Sequence, residues 1–403
     1  AGCSAERAAE FFEAMHLRRY VASSPTALRR LFAQILTHTV AWGAAERERL
    51  ARDMPARDVV LALDENFHWE SILLGVLDIV TGFVFAERMS DTRDAAVWEA
   101  TVRESLADYK VCPRALTRDG ATALGTCGER LSVLAGHDIF HLQYAVCGTT
   151  VRPMAQRVAR AHAAAQERRD ELAALRAERD RVQALPRGPG RPTDWEARET
   201  RAQLAVEAAD RHAGTMAAER EAMTASIRAL GDAHHPVDLG TGAPVSAERA
   251  RERLQHAAED LCEHAARASL GTRAVKALNG VFARLDDLAA VVGWWHREVR
   301  RRLDTLSLPA VQVAWIESAL VPALYVQHRI ALGRTEDERA SLRTLWARRR
   351  GELLGSTSPW RTWDDATRRR VQEEVEACVR MFPRSTSALE GHNGQDALVH
   401  HQR

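Results

Sequence analysis

Val59-Val60-Leu61-Ala62-Leu63-Asp64-Glu65 is a run of five apolar residues closed by two carboxylates. A run that is apolar at odd and even positions alike reads as a central strand, covered on both faces. Asp64 then stands where the buried run stops. Working outward, Ser71 to Leu77 and Phe83 to Phe85 predict two more strands, with Thr81-Gly82 at the turn between them. Trp98, Val102 and Leu106 mark one face of a helix over about 92–107. Ala115 to Thr117 is a short strand that delivers Asp119, and a helix over about 121–131 follows. Leu134 to His137 is a fifth strand, ahead of a helix that starts near Asp138. The order β-β-β-α-β-α-β-α over 58–150 predicts a mixed sheet with helices on both faces.

On either side of this region the strand pattern disappears. Residues 4–50 read as two or three short helices, with Ser24 as cap and Pro25 at the first helical position. Leu28, Leu31, Phe32 and Ile35 share one face there, which fits a brace packed on the next domain or the remnant of a DNA-gripping helix-turn-helix. Beyond 150, Val158, Ala161, Ala165, Leu172, Leu175 and Val182 recur near heptad spacing and predict one arm of a long helical hairpin. Pro186 to Pro192 is its loop, and a second arm runs from about Asp194 to Leu230. The stretch 246–380 is helical in pattern. Its tryptophans, Trp294, Trp295, Trp315, Trp346, Trp360 and Trp363, read as core. The domain plan is thus 1–57 helical, 58–150 sheet-bearing, 151–383 an all-helical insertion, and 384–403 a returning helix.

The chain has 403 residues, net charge +1, 28% charged and 46% hydrophobic residues. Two or three domains are expected at that length. No run of about 18 apolar residues occurs and the start does not resemble a signal peptide, so no membrane partner and a cytoplasmic, nucleoid-associated place are expected. The six cysteines form no CxxC pair and read as reduced thiols. The charge balance argues against a broad basic surface, since positive charge is nearly all arginine, with lysine only at Lys110 and Lys276. Three local clusters, Arg300 to Arg302, Arg348 to Arg350 and Arg368 to Arg370, are either solvated helix faces or phosphate contacts. No GxxxxGK[ST] loop occurs, which speaks against an ATP-driven mechanism. The chain starts at Ala1 without methionine and stops at Arg403 inside an expected helix, so it reads as part of a longer frame.

Asp64 and Asp119 close two apolar runs, and Glu390 opens an expected helix near the end of the chain. Carboxylates brought together from two strand ends and a helix start can hold a pair of divalent ions, which suit oxygen donors and serve phosphoryl transfer. Glu390 lies far beyond Asp119, so the intervening helical region must leave the sheet domain and return to it.

Local sequence adds to this. Leu63-Asp64-Glu65-Asn66-Phe67, Thr117-Arg118-Asp119-Gly120-Ala121, Gly136-His137-Asp138-Ile139-Phe140-His141 and Arg384-Ser385-Thr386-Ser387-Ala388-Leu389-Glu390-Gly391-His392-Asn393-Gly394 resemble DDE-type insertion-sequence transposases with a helical insertion before the final Glu. The paired His400-His401 and the His234-His235-Pro236 to Gly242 segment match that group too. The resemblance implies an α/β, RNase H-like mixed five-stranded sheet interrupted by a large all-α insertion. It also implies two Mg²⁺ or Mn²⁺ ions held by Asp64, Asp119 and Glu390, and cleavage and joining of DNA at transposon ends. Expected partners are terminal-repeat and target DNA, with a homodimer or higher oligomer assembled on it. The group places Ser where this chain has Arg118, a cation that either alters metal affinity or points at phosphate. Glu65 follows Asp64 and so faces the other side of the strand. Asp138 is an alternative to Asp119 as ligand. His141 either orients a carboxylate, contacts the DNA backbone or fills the core. Arg384 joins the second tier of the site, Asn393 shares a helix face with Glu390, and His401 lies close to that face some turns on.

Overall fold

A computed structural model describes residues 4–21, 23–68, 71–186, 192–356 and 358–384. The sheet region is as the apolar runs predict, with longer strands. β1 (Arg57–His68), β2 (Ser71–Asp78), β3 (Val84–Ser90), β4 (Val111–Arg118) and β5 (Leu134–His137) form one sheet in the order β3-β2-β1-β4-β5. β2 pairs antiparallel with β1 and β3, while β1, β4 and β5 are parallel neighbours. β2 alone therefore runs against the other four. Val59 to Leu63 are fully buried, which explains why no alternation is visible in their sequence.

Three helices follow the strands: α3 (Ala95–Leu106), α4 (Thr122–Leu131) and α5 (Ile139–Thr149). Val59, Leu61 and Leu63 pack with Leu74, Val76, Phe85 and Leu116 against Trp98, Val102 and Leu106 of α3 and Leu124 and Cys127 of α4. Helix α4 comes very close to the sheet at Gly128, where a Cβ would stand 2.6 Å from the Ala135 Cβ. Burial pushes the Cys127 thiol up to about 11. Cys112, Cys147 and Cys262 are free thiols like it. On the opposite face of the sheet Ala62 and Leu77 are buried with half-buried Ile79 and Val84.

The N-terminal region differs from expectation. α1 (Ala5–Ala14) is followed, after a short turn, by a single 29-residue helix, α2 (Pro25–Asp53), in place of several short ones. Ser24 caps it as expected, its Oγ accepting the Ala27 N–H at 3.2 Å. Leu28 is buried, but Leu31, Phe32 and Ile35 stand exposed, so within the chain the expected brace contact is absent among the described residues.

The remainder is helical: α6 (Val151–Gln183), α7 (Trp195–Ala233), α8 (Ala247–Arg267), α9 (Thr272–Phe282), α10 (Leu285–Asp304), α11 (Ala310–Trp315), α12 (Val321–Leu332), α13 (Glu336–Leu353) and α14 (Asp365–Arg380). The hairpin of α6 and α7 is present, with Ala161, Ala165 and Leu172 buried in its seam and Val182 exposed. Trp294, Trp295 and Trp363 are core, and Trp315, Trp346 and Trp360 are half-buried. Two compact units emerge, and their borders differ from the expected 150 and 383. The first holds residues up to Phe140, then Arg301–Leu306 and the chain from Asp364; the second holds His141–Arg300 and Ser307–Trp363. The chain returns to the first unit early because the last turn of α10 is tied there by charge: Arg301 and Arg302 pair with Asp58, and Arg302 also pairs with Glu374 at 2.5 Å. Among the described residues no helix is long and apolar enough to cross a membrane.

Candidate active site

Asp64, Asp119 and Asp138 lie just beyond the last paired positions of the parallel strands. The last pair of β1 and β4 is Ala62–Thr117, and that of β4 and β5 is Arg118–His137. Asp64 and Asp119 are each two residues past the first of these pairs, and Asp119 and Asp138 each one residue past the second. Asp64 does not end its strand. β1 runs on to His68, but from Leu63 onward its paired neighbour is β2 alone. β4 turns away at Asp119, so the edge of β1 from Asp64 to Phe67 has no partner strand on that side among the described residues. Across β2, Asp64 faces Gly75, which has no side chain to crowd it.

Each carboxylate is oriented by a backbone donor. Asp64 Oδ1 accepts the Glu65 N–H at 2.9 Å. Asp119 Oδ1 accepts the Ala121 N–H at 2.8 Å, closing the turn into α4. Asp138 Oδ1 accepts the Phe140 N–H at 2.6 Å at the start of α5, and its own N–H donates to the Arg118 carbonyl at 2.9 Å. Asp138 is buried, whereas Asp64 and Asp119 are half-buried. Short polar side chains that accept from the backbone two residues on are what such turns demand.

Arg118 does not extend toward solvent. Its guanidinium donates to the Asp119 and Ala121 carbonyls at 3.3 and 3.4 Å. It lies against Gly125, where a Cβ would stand 3.3 Å from Nη2. This residue holds the turn that aims Asp119. His141 sits half-buried in the first turn of α5, and Arg384 is half-buried at the end of the described chain. Glu390, Asn393 and His401 lie outside the described residues.

Glu65, set aside in the sequence because it faces away from Asp64, is a fourth carboxylate of this region. It shares the face of Val59, Leu61 and Leu63, and its side chain is 6% exposed and ion-paired with Arg93. Its Oε2 is buried with no hydrogen-bond partner among the described residues. Burial raises its pKa, Arg93 opposes that rise, and the charge of Asp119 adds to it. Arg93 also lies over the Phe67 ring, 5.3 Å from its centroid. The signal was present in the sequence: a Glu at the next core-facing position of a buried strand requires a cation, and Arg93 lies in the loop just before the Asp94 cap of α3.

Oxygen donors oriented by backbone N–H groups fit Mg²⁺ or Mn²⁺. Neighbouring strands stand about 4.8 Å apart, which sets the scale for residues at the same offset on β1 and β4. Among the described residues, no three His, Cys, Asp or Glu side chains converge closely enough to hold a metal.

The arginine clusters are largely committed to local partners. Arg300 takes Glu317, with Nε 2.6 Å from Oε1, and Arg301 and Arg302 take Asp58. Arg348 donates to the Thr241 carbonyl, Arg349 pairs with Glu352, and Arg350 lies over Trp346. Arg368 pairs with Asp365, Arg369 donates to the Asp365 carbonyl, and Arg370 donates to the Leu306 carbonyl at 2.6 Å.

Comparison with known proteins adds one finding. Residues 316–403 match the model of a family of unknown function, DUF6399. No curated protein and no solved structure matches the chain.

Proposed function

We propose that the end of the sheet carrying Asp64 and Asp119 is the catalytic centre of a metal-dependent DNA phosphoryl transferase of the DDE transposase type, on an RNase H-like sheet. The observation that carries this reading is the register: Asp64 and Asp119 each stand two residues past the last pair of the neighbouring parallel strands β1 and β4, in a sheet where only β2 is reversed. That strand order and direction agree with what the motif resemblance implies. Asp64 and Asp119 would hold the ions, with Glu390 supplying the third carboxylate. Bound divalent ions would activate a water or a DNA hydroxyl and stabilise the attacking and leaving oxygens. The chain's own part is positional. Arg118 and the Ala121 N–H fix Asp119, the Glu65 N–H fixes Asp64, and Arg93 partly offsets the negative charge that a phosphodiester must approach.

The test is nicking and strand transfer on terminal-repeat DNA with Mg²⁺ or Mn²⁺, with Asp64→Asn as control. Metal-dependent products that vanish in the variant support the reading, and unchanged products in the variant sink it. One observation favours a second reading, a relative that has lost activity and acts as a helical interaction protein: the arginine clusters lie against local partners, leaving little basic surface for DNA. Metal-dependent stabilisation without any nicking would favour that alternative.

A further inference from the structure

Phe67 is a large apolar side chain on the outside of an ordered strand. It is 61% exposed, yet its backbone is fixed in the β1–β2 ladder opposite Ile72. Arg93 lies over its ring, 5.3 Å from the centroid. Arg93 is held in turn by Glu65, whose side chain is only 6% exposed. A guanidinium anchored by a buried carboxylate keeps its flat faces for stacking. Ring and guanidinium are therefore set before any partner arrives, and little ordering cost falls on binding.

Charge narrows the partner. Glu65 cancels Arg93, and the next cation on this face, Arg88, pairs with Glu104. Asp91 and Asp94 flank Arg93 in its loop, Asp94 accepting the Ala96 and Val97 N–H groups at 3.0 Å as the cap of α3. No net positive charge is left here for a phosphate, so the surface offers a π face instead. Position narrows the partner further. Phe67 stands three residues beyond Asp64, about 10 Å along the strand, where β1 has run past its last pair with β4. A duplex strand advances about 3.4 Å per nucleotide, so Phe67 lies within about three nucleotides of a phosphate held at Asp64. The two residues project from opposite faces of β1. A paired base cannot leave its stack to reach round the strand, whereas an unpaired base can, and such bases stack on aromatic rings and arginine planes.

We propose, resting on the catalytic reading given above, that Phe67 and Arg93 form a stacking platform for an unpaired nucleobase of the DNA strand bound at Asp64 and Asp119. Glu65 is the residue that positions Arg93 for it. The platform selects DNA whose bases are already unpaired beside the scissile phosphate, and it does so without reading their identity, because every base has a π face.

Two DNA hairpins of arbitrary sequence test this, one blunt and one ending in a short single-stranded overhang that carries 2-aminopurine. Affinity for the full 403-residue chain is read by anisotropy in Mg²⁺, and stacking by quenching of the 2-aminopurine. The wild-type chain should prefer the overhang and quench it. Phe67→Ala should weaken overhang binding about tenfold, the loss of one stacked base, and abolish the quenching. Its affinity for the blunt hairpin and its salt slope should stay unchanged, since no phosphate contact is lost. Phe67→Trp should keep both signals. Arg93→Lys retains the charge opposite Glu65 but not the plane, and should weaken overhang binding about threefold or more. A wild-type chain that binds both hairpins equally, or a Phe67→Ala chain that binds and quenches the overhang like wild type, overturns the platform. Nicking is a separate readout: Asp64-dependent nicking with no effect of Phe67→Ala on the overhang leaves the catalytic reading standing and removes the platform. Phe67-dependent quenching without any Asp64-dependent nicking keeps the platform and sinks the catalytic reading alone.

Discussion

Asp64 and Asp119 each stand two residues past the last paired rung of β1 and β4, Ala62–Thr117, so both follow that rung at the same offset. Two carboxylates at the same offset on adjacent strands, which stand about 4.8 Å apart, repel unless a cation lies between them.

Mg²⁺ or Mn²⁺ should therefore raise the melting temperature. A ligand at 100 times its dissociation constant stabilises by about 2.7 kcal/mol, or several degrees for a chain of this size. Asp64→Asn and Asp119→Asn should each remove most of that rise, read by differential scanning fluorimetry with and without metal. A full metal response in both variants would move the site away from this pair.

Asp138 also stands just past a paired rung but does different work. It is buried and accepts the Phe140 N–H at the start of α5, so Asp138→Ala should cost about 1–2 kcal/mol in urea unfolding, as lost N-caps do. Asp138→Asn keeps an acceptor and should retain the metal response. Loss of that response in Asp138→Asn would make Asp138 a ligand in place of Asp119.

The apolar run of β1 was legible because burial on both faces leaves a continuous signature at Val59 to Leu63. Its continuation through Asn66 and Phe67 was not, because pairing with β2 alone sustains it. At α2 the cap at Ser24-Pro25 was readable, but length depends on where a helix meets a strong breaker: Gly43 is tolerated, and the next proline is Pro55. The partners of Arg301 and Arg302 were invisible in principle. Asp58 lies 243 and 244 positions away from them, and nothing local in either stretch encodes the meeting. Glu65 points to the face away from Asp64, as strand alternation predicts, but its pairing with Arg93, 28 positions on, is not encoded locally in the sequence. The burial that raises its pKa lies on that same far face.

Arg302 should behave as a structural residue. Its side chain is 14% exposed and lies between Asp58 and Glu374. Removing it leaves Glu374 without this cation and Asp58 with Arg301, so Arg302→Ala should lose about 1–3 kcal/mol in urea unfolding. The salt slope of any DNA binding should stay the same. A slope flattened by about one unit would return this arginine to phosphate contact.

Gly128→Ala tests how tightly α4 is seated. An added Cβ would stand 2.6 Å from the Ala135 Cβ, 3.3 Å from the Val133 carbonyl oxygen and 3.4 Å from Leu116 Cδ2. These neighbours are core or backbone, so α4 must shift, at a cost of about 1–3 kcal/mol. That shift should reach the Asp119 turn and weaken the metal response. A stability change below about 0.5 kcal/mol would mean that α4 adjusts freely.

His296 supplies a pH dependence within the helical unit. Burial holds its pKa below the ordinary 6.5, opposed by its hydrogen bonds to the Val245 and Pro236 carbonyls and by the charge of Glu317. The neutral ring donates from Nε2 to the Val245 carbonyl at 2.8 Å. Below pH 6.5 the unfolded chain takes up a proton that the folded chain resists, so stability is present above that pH and is lost as pH falls through the depressed folded value. His296→Gln has no ring to protonate. The gap between wild type and variant in urea midpoint should therefore move in the variant's favour between pH 7.5 and pH 5. An equal loss in both proteins over that interval would place the acid sensitivity at other groups.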